Sequence, residues 1–471
     1  MYDYDLIVVG CGASSYGFLK GLEKNKDFKD KKIAVLCPSE YKQNTVKCNI
    51  KGISPKFLQD KNLLSLSYYL DTFVNVIQNN FSHIGVHAIG GMCRMWGGSI
   101  GTFDKKTLNN NNLDFDEFSQ CYAEIEKFLP FSGNEEDDIS DYFDLKITKS
   151  VVISQRVRKL YGKFFGDTFK VGHPRLLVRD NCNQCNQCLA GCKRNSIWSP
   201  LEQDFLNIKL DISLLKDSFA TKITKNRVTY LKDDKEKILN SRYIILAGGV
   251  MQNYKLLANL ENVVNTKAKL LNTPALAFSF FNFTKNFEFS FFGMGNATFI
   301  LENKNNLDFY GNLYDGYSLA VSSGRVVSNN KVVDSLFKII SKYMVFGAGF
   351  VSSDYAECSL EKKNKNIVIS GRYSEKYQSK IHEIQKIIKK FSIVNNGMFP
   401  YSKKILLGND IHYGGGIPGD LYSKTLVKDG NLKNISHVKV VGGSTFSYLP
   451  PVSPTLSYIA NSYRIGKQIN F

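Results

Sequence analysis

The sequence predicts an α/β protein in which a Rossmann-type nucleotide-binding domain is assembled from both ends of the chain. A smaller α+β domain with an antiparallel sheet is inserted between them. Three patterns predict this: a glycine-rich turn between two apolar strands near the N-terminus, an aromatic segment with a period of two over residues 273–325, and a return to strand and glycine-turn patterns from Ile405 onward. The 471 residues correspond to about three structural units at roughly 150 residues each.

The N-terminal elements follow from apolar periodicity. Residues 6–9 and 33–36 are short apolar runs typical of buried strands, and residues 14–22 have helical spacing. The acidic stretch 104–144 contains short helical pieces, and residues 223–247 alternate as strand, turn and strand. These patterns indicate a Rossmann strand–helix–strand unit followed by irregular and hairpin structure.

The middle of the chain has a different pattern. The period-two aromatic residues of 273–325 indicate antiparallel strands, and a long basic helix is predicted near 374–391. The apolar stretch 337–350 is predicted as a buried helix, with a membrane-surface or partner-docking face as the alternative. We therefore place the nucleotide-binding domain at residues 1–265 and 405–471, including the cysteine-rich loop 180–200, and the substrate-binding domain at 266–404.

Composition and charge limit the possible functions. Hydrophobic residues make up 43% and charged residues 22%, which excludes collagen, coiled coil and intrinsic disorder. Lysine and arginine total 61 against 43 acidic residues, a net charge of +18. Because no arginine-rich stripe accompanies this charge, we interpret it as the lysine-rich composition of a bacterial proteome and expect no nucleic acid partner. Peripheral membrane association stays open.

The N-terminus and the cysteines suggest a compartment. Asp3 and Asp5 stand where a secretory signal has basic residues, and no apolar run reaches the roughly 18 residues of a membrane-spanning helix. Ten cysteines without a secretory signal make a disulfide framework unexpected. We expect a reducing, cytoplasmic location.

The N-terminal glycine turn predicts a dinucleotide site. Its residues are Gly10, Gly12, Ala13, Ser14 and Ser15. The two glycines permit a tight turn that lets the backbone approach a pyrophosphate at the helix N-terminus, and a small serine in place of a third glycine still allows close packing. The second strand ends at Cys37 instead of the acidic residue that usually binds the adenosine ribose, so either Glu40 or backbone groups would bind it.

Four further segments resemble the glucose–methanol–choline (GMC) flavin oxidoreductases. GGMCRMWGG at 90–98 resembles their second glycine turn, RYIILAGGVMQNYKLL at 242–257 their strand–Ala-Gly–helix segment, HYGGG at 412–416 their catalytic histidine motif, and residues 438–466 their closing Pro-Thr motif. The resemblance implies a set of cofactor-binding residues beyond the first turn: Gly91, Met95, Trp96, Gly97, Gly98, Ala247, Gly248, Gly443, Ser444, Pro454 and Thr455.

The resemblance also implies a cofactor and a reacting pair. It implies FAD, and bound without a covalent link, since Met95 stands where pyranose oxidases have the histidine that tethers the flavin. His412 would accept the hydroxyl proton of an alcohol. Ser453 stands where the family has histidine or asparagine, and it could donate one hydrogen bond to the substrate oxygen but could not act as a base.

A cysteine run predicts a metal centre. Its members are Cys182, Cys185, Cys188 and Cys192, at the C-x2-C-x2-C-x3-C spacing of ferredoxins. Cys182, Cys188 and Cys192 also resemble the C-x5-C-x3-C of GMC-type sugar dehydrogenases, in which three thiolates hold a three-iron cluster. One [3Fe-4S] cluster, or a [4Fe-4S] cluster completed by Cys185, competes with zinc and with metal-free structural thiols.

The sequence as a whole predicts an FAD-dependent enzyme that oxidises a CH–OH group of a sugar, polyol or other alcohol. With a cluster it would be a dehydrogenase that passes electrons to an acceptor protein or a small electron carrier. The alternatives are an oxygen-using alcohol oxidase without a cluster, and a basic nucleic-acid- or membrane-binding protein that keeps a flavin fold.

Overall fold

A computed structural model describes residues 2–470 apart from several gaps. The gaps are 39–74, 86, 95, 134–136, 144, 146–148, 162–168, 187, 189–191, 193, 285–289, 304–305 and 319–330. In the described part, no helix is both long enough and apolar enough to cross a bilayer.

The strands fall into three larger sheets and one two-stranded ribbon. In chain order they are β1 (Tyr4–Val9), β2 (Lys32–Leu36), β3 (Asn75–Asn79), β4 (Phe131–Ser132), β5 (Phe169–Gly172), β6 (Leu176–Leu177), β7 (Asp211–Leu215), β8 (Phe219–Thr224), β9 (Arg227–Lys232), β10 (Lys235–Leu246), β11 (Ala268–Asn272), β12 (Ala275–Phe281), β13 (Ala297–Asn303), β14 (Asn306–Asp315), β15 (Met344–Phe350), β16 (Ala356–Lys363), β17 (Asn366–Tyr373), β18 (Met398–Lys404), β19 (Tyr413–Gly415), β20 (Asn431–Leu432) and β21 (Ile435–Val440).

The helices lie mostly around these sheets. In chain order they are α1 (Ala13–Leu22), α2 (Lys105–Asn110), α3 (Phe115–Ile125), α4 (Gln155–Arg158), α5 (Glu202–Leu206), α6 (Val250–Leu257), α7 (Lys331–Ser341), α8 (Tyr377–Val394), α9 (Leu426–Asp429) and α10 (Thr455–Gln468).

The first sheet has the order β20-β21-β10-β1-β2-β7, and its Rossmann-type core from β21 to β7 is parallel. β1 lies between β10 and β2, and its residues 6–9 are buried on both faces, as its uninterrupted apolar run predicts. β21 pairs in parallel with β10, so the C-terminal segment completes the sheet that the N-terminus begins. The fold class predicted from the sequence is confirmed.

Helices α1 and α10 join the two ends of the chain by unusually close packing. A Cβ atom at Gly21 would lie 2.0 Å from the carbonyl oxygen of Tyr463, and one at Gly466 would lie 2.2 Å from that of Phe18. Only glycine allows the two backbones to approach this closely. The second half of α1 is therefore packed tightly against the last helix of the chain.

The second sheet, β19-β11-β16-β17-β3, is antiparallel except for the β17–β3 pair. The third sheet, β18-β12-β15-β14-β13-β5, is antiparallel throughout, and the buried side of α8 packs in its core. Phe391 of α8 stacks 4.8 Å from Phe169, measured between ring centroids. Because Phe169 belongs to β5, the chain before residue 266 also contributes an edge strand to the sheet of the inserted segment.

The prediction of one buried helix over residues 337–350 is wrong. The helix α7 ends at Ser341, and its Leu336 and Ile339 are exposed. The following β15 lies inside the third sheet, where a Cβ at Gly347 would lie 2.1 Å from the ring of Phe278. Glycine is required here because neighbouring aromatic rings occupy the space of a side chain. The hydrophobicity of the segment does not reveal this requirement.

The predicted strand–turn–strand over 223–247 corresponds to β9 and β10, and the strand before it, β8, ends at Thr224. β8, β9 and β10 form an antiparallel meander, and the second half of β10 continues into the parallel core beside β1. The first half of β10 therefore belongs to the meander and the second half to the parallel core. The sequence reflects this, since the first half alternates and the second half is an apolar run.

Candidate active site

A long cavity lies at the carboxyl ends of β1, β2 and β10, where α1 begins. This is the edge at which doubly wound α/β sheets bind nucleotides. The cavity runs from the end of β2 past the α1 N-terminus to the start of α10, and its lining includes Leu36, Pro38, Ser218, Phe219, Ala220, Gly10, Cys11, Gly12, Ala13, Ser14, Gly91, Ala247, Gly248, His412, Gly443, Pro454 and Thr455.

The first glycine turn shapes the middle of the cavity. Gly10 has φ +106°, and a Cβ there would lie 2.7 Å from the carbonyl oxygen of Ala247, so no other residue fits. Gly12 is the N-cap of α1 and has extended backbone. If Gly12 carried a Cβ, the nearest atom to it would be the Cα of Gly91, at 3.8 Å. No side chain caps the helix N-terminus. Its backbone N–H groups are therefore available to an anion.

The second glycine turn faces the first one. The N–H of Gly90 donates to the carbonyl of Cys11 at 2.9 Å, and Gly91 opens a short 3₁₀ turn with φ +54°. Further along, the indole N–H of Trp96 donates to the carbonyl of Trp198 at 2.7 Å. The backbones of Gly12 and Gly91 thus lie close together where both line the cavity.

Some predicted cofactor residues act behind the cavity wall. Trp96, Gly97 and Gly98 do not line it, and a Cβ at Gly97 would lie 2.9 Å from the Met294 side chain. Ser15 is fully buried, and its hydroxyl has no hydrogen-bond partner within the described ranges. Gly97 and Ser15 are small and permit close packing around the turn, and neither lines the cavity.

The return strand and the closing motif meet through one asparagine. The side chain of Asn253 accepts a hydrogen bond from the Gly248 N–H at 3.0 Å and donates one to the hydroxyl of Ser444 at 3.1 Å. Ser444 is fully buried, whereas its neighbour Gly443 lines the cavity. Asn253 therefore fixes two cavity-lining turns relative to each other.

The ribose end has no described carboxylate where the second strand ends. Glu40 and Met95 lie outside the described residues. Cys37 is fully buried, burial raises the pKa of its thiol well above the usual range, and its carbonyl accepts a hydrogen bond from the Ser218 N–H at 2.8 Å. A neutral thiol and backbone groups therefore occupy the position where an acid was expected.

Two histidines of the cavity were not identified from the sequence. His83 and His87 line it, and burial lowers the pKa of His83 to about 4 and that of His87 to about 3. The ring of His87 lies edge-on to Phe219, with 5.0 Å between centroids. The Lys255 ammonium lies 5.3 Å from the centroid of the same ring. Their only sequence signal was a position shortly before the second glycine turn.

His412 lies at the far end of the cavity. Its Nδ1 is 2.9 Å from the hydroxyl oxygen of Thr273, and its ring packs on Phe350 with 4.3 Å between centroids. Burial lowers the pKa of His412 to about 3, so the imidazole is neutral near pH 7. With Nδ1 turned into the protein, Nε2 remains on the cavity side of the ring.

The backbone around His412 is held on several sides. The next residue, Tyr413, donates its hydroxyl proton to the carbonyl of Gly408 at 2.5 Å and accepts the Ile84 N–H at 3.1 Å. The carbonyl of Tyr413 accepts a hydrogen bond from Tyr458 of α10 at 2.9 Å. The closing helix thus positions the histidine as well as lining the cavity.

The second predicted catalytic residue, Ser453, lies behind the wall. Its side chain is 6% exposed, does not line the cavity, and hydrogen-bonds to the Tyr310 hydroxyl. Tyr310 in turn donates to the carbonyl of Ile100 at 2.9 Å. The geometry connects Ser453 to the third sheet and does not bring it together with His412 at the cavity surface.

The four cysteines of the run differ in their surroundings. Cys182 and Cys192 are partly buried, Cys185 is exposed, and Cys188 is packed among apolar side chains such as Val151 and Phe292. Over the described residues, which include all four of these cysteines, no three histidine, cysteine, aspartate or glutamate side chains are grouped as metal ligands. Cys185 and Cys192 nevertheless lie close enough to Cys182 for their charges to contribute to its raised pKa. The iron–sulfur cluster stays a prediction from the sequence.

One of these thiols has a distinct environment. Burial alone raises the pKa of Cys192, but hydrogen bonds from the backbone of Ser196, Ile197 and Arg194 outweigh it and lower the pKa. The Ser196 N–H lies 3.2 Å from its sulfur. Cys182 shows the opposite shift, because burial raises its pKa.

The chain shares its fold with a solved flavoenzyme structure. No protein-family model matches the sequence, and no curated protein matches it. The crystal structure of pyridoxine 4-oxidase from Mesorbium loti matches with a TM-score of 0.63, over 98% of this chain and 98% of that one, at 9% sequence identity. The chain has the fold of pyridoxine 4-oxidase. At this identity the similarity establishes the fold, and the chemistry is argued from the site itself.

Proposed function

We propose that this protein is an FAD-dependent oxidoreductase that oxidises a CH–OH group to a carbonyl, with His412 as the general base. The observation that carries the proposal is the position of His412, which is neutral and lines the same glycine-rich cavity as the Rossmann-type turn. The shared fold with pyridoxine 4-oxidase supports the same class of chemistry.

The cavity fits a flavin dinucleotide at the turn. Gly12 and Gly91 present bare backbone to each other, and the α1 N-terminus has no side-chain cap. Backbone N–H groups and the helix dipole favour a pyrophosphate there. Leu36, Pro38 and Phe219 would surround the adenosine, and Gly443, Pro454 and Thr455 would lie beside the ring system near His412.

When bound, FAD supplies the acceptor for the hydride that leaves the substrate carbon. His412 Nε2 accepts the proton of the substrate hydroxyl, so the C–H and O–H bonds break and a carbonyl forms. The low pKa of His412 keeps this nitrogen unprotonated before substrate arrives. Phe350 packs against the imidazole and limits its rotation.

Ser453 has a supporting role in this proposal. Its side chain bonds to Tyr310, which belongs to β14 of the third sheet. Removal of such a neutral hydrogen bond typically costs about 1 kcal/mol. We therefore expect Ser453 to position the start of α10, where Pro454 and Thr455 line the cavity.

The test uses single-turnover reduction of bound flavin by a panel of alcohols: glucose, sorbitol, glycerol, benzyl alcohol and pyridoxine. His412→Ala should retain flavin and lose roughly two to four orders of magnitude in the reduction rate, because general-base catalysis contributes about that much. His382→Ala, on the exposed side of α8, is the matched control and should behave as wild type.

Two results would overturn the proposal. One is reduction by an active alcohol at an unchanged rate in His412→Ala. The other is protein that binds no flavin but binds DNA or anionic vesicles with a steep dependence on salt, which would favour the basic binding protein considered as an alternative.

The electron acceptor is a separate question. Reduced protein can be mixed with oxygen or with an artificial carrier, and the faster reaction distinguishes an oxidase from a dehydrogenase. Sugars and polyols stay the substrate classes predicted from the sequence. No step of the proposed reaction passes through the cysteine run.

A further inference from the structure

A buried carboxyl lies behind the catalytic histidine. Asp410 is 8% exposed and accepts two side-chain hydrogen bonds, one from the Asn272 amide at 2.6 Å and one from the Thr273 hydroxyl at 3.0 Å. In the described part of the chain no lysine or arginine forms an ion pair with it. Hydrogen bonds are therefore what stabilises this carboxylate in the interior.

Thr273 connects Asp410 to His412. Its single hydroxyl oxygen lies 3.0 Å from Asp410 Oδ2 and 2.9 Å from His412 Nδ1. A hydroxyl has one proton, and an ionised carboxylate can only accept a hydrogen bond. The Thr273 proton therefore goes to Asp410, and the hydroxyl oxygen must accept the Nδ1–H of the imidazole.

Asn272 holds the other half of the same arrangement. Its amide also donates to the carbonyl of His412 at 3.2 Å, and its side-chain oxygen accepts the Gly408 N–H at 3.2 Å. Asn272 ends β11, which pairs with β19 immediately after the histidine. Two adjacent residues of the second sheet thus fix both the backbone and the ring of His412.

We propose that Asp410 and Thr273 are positioning residues that hold His412 in its Nδ1–H tautomer and so present an unprotonated Nε2 to the cavity. The proposal deepens the proposed function and rests on it for its catalytic meaning. The tautomer itself is a property of the protein that can be measured without turnover. Wrong-tautomer variants of other histidine-dependent enzymes lose most of their rate although their geometry is preserved.

The experiment compares the imidazole nitrogens of His412 by NMR in protein whose histidines carry a heavy-nitrogen label. The chain has six histidines, and the signals lost in His412→Gln identify the relevant ring. In wild type, purified with its cofactor, Nδ1 should be of the protonated type and Nε2 of the unprotonated type. Thr273→Val, which keeps the shape but removes the hydroxyl, should abolish this preference, and Thr273→Ser should restore it.

Kinetics supply the second readout. Thr273→Val should reduce the rate of flavin reduction by about 10²-fold, a general-base effect, with little change in the substrate concentration that gives half the maximal rate. Thr273→Ser should recover most of that rate. Melting temperatures identify any variant that fails to fold, and Asp410→Asn offers a second way to break the same chain.

The outcomes separate this inference from the proposed function. An Nε2–H tautomer in wild type would overturn the positioning role of Asp410 and Thr273, even if the protein oxidises alcohols. So would an unchanged tautomer in both Thr273→Val and Asp410→Asn. If the expected tautomer is found but no alcohol reduces the bound flavin, the positioning role is supported and the proposed oxidation is overturned.

Discussion

The residue before the proposed base adopts a rare conformation. Ile411 has φ +65°, a region that β-branched residues seldom occupy, and its N–H donates to the carbonyl of Gly408 at 3.1 Å. Such strain costs on the order of 1–3 kcal/mol and persists only where surrounding contacts impose it. The anchors on Tyr413 and the Asn272 bond to the His412 carbonyl are those contacts, so the imidazole is directed by its neighbours and not by local preference.

At the same scale, the ionisation of Asp410 predicts a pH dependence. Burial raises the pKa of Asp410 to about 7, although the bonds from Asn272 and Thr273 counteract it. A protonated carboxyl can donate to Thr273, which frees the threonine proton for His412 Nδ1 and permits the wrong tautomer. Flavin reduction by substrate should therefore accelerate as pH rises through about 7. Stopped-flow rates across pH 5 to 9 measure this.

The other titratable groups that face Asp410 do not cause this increase in rate with pH. Burial raises the pKa of each of them, so they stay neutral over this range: Cys358, Tyr373, Tyr377, Tyr413 and Tyr458. His412 also stays neutral, since its pKa is lowered to about 3. Asp410→Asn should accordingly be slow at every pH. If the rate of flavin reduction still falls below pH 7 in this variant as it does in wild type, Asp410 is not the group responsible.

The same group makes stability fall with pH. The pKa of Asp410 is raised to about 7 in the folded protein, whereas an unfolded aspartate titrates near about 3.9. Between these values the unfolded chain releases a proton that the folded chain retains, so the free energy of unfolding decreases as pH rises. Denaturant titrations at pH 4 and 8 should show that Asp410→Asn gains stability relative to wild type only at the higher pH.

At the scale of elements, the glycine turn offers a matched pair of substitutions. Gly12→Val should fold normally, because the backbone is extended there and a Cβ would have no neighbour within 3.5 Å. Its added methyl groups, however, would fill the space that we assign to the pyrophosphate. Gly10→Ala should destabilise the fold itself, since its Cβ would lie 2.7 Å from the carbonyl oxygen of Ala247 at φ +106°.

The measurement compares melting temperatures after flavin removal and flavin content after reconstitution. We expect Gly12→Val to melt within a few degrees of wild type and to retain no flavin, and Gly10→Ala to melt far lower. Normal flavin retention by Gly12→Val would place the cofactor away from this turn and remove the main support for the cavity assignment.

Local patterns predicted the elements whose environment is simple. β1, β2 and α1 match their predicted ranges to within two residues, because a buried parallel strand is apolar throughout and α1 follows directly from the turn. The stretch 337–350 failed because Gly347 and Gly349 serve aromatic rings on other strands, a requirement set by residues far away in the chain. The glycines of α1 that contact α10 were likewise recognisable only from the partner helix.

At the scale of the whole molecule, the site is assembled from distant parts of the chain. The turn comes from the N-terminus, the histidine from residue 412, and Thr273 from a position 139 residues earlier. Motif order indicated the cavity and His412, since each motif carries its own local signal. Thr273 and Asp410 have no motif, and Ser453 was assigned by position in a motif although its side chain turns toward Tyr310. Side-chain direction at such positions depends on packing that spans three sheets.

The composition of the holoprotein is the remaining whole-molecule prediction. Met95 precedes Trp96, and a thioether cannot form the flavin bond that a histidine makes at that position. His87, the nearest preceding histidine in the sequence, packs edge-on to Phe219. Acid precipitation should therefore release yellow FAD into the supernatant and leave the pellet colourless. Flavin retained in the pellet would contradict non-covalent binding.

Metal analysis of the same anaerobically purified sample tests the cysteine run. An iron–sulfur cluster would bind the exposed Cys185 or the apolar-packed Cys188 together with Cys182 and Cys192. Stoichiometric iron and sulfide that disappear in both Cys188→Ser and Cys192→Ser would establish the cluster. Iron-free protein that retains full alcohol-dependent flavin reduction, in wild type and in both variants alike, would show that electrons leave the flavin directly to an external acceptor.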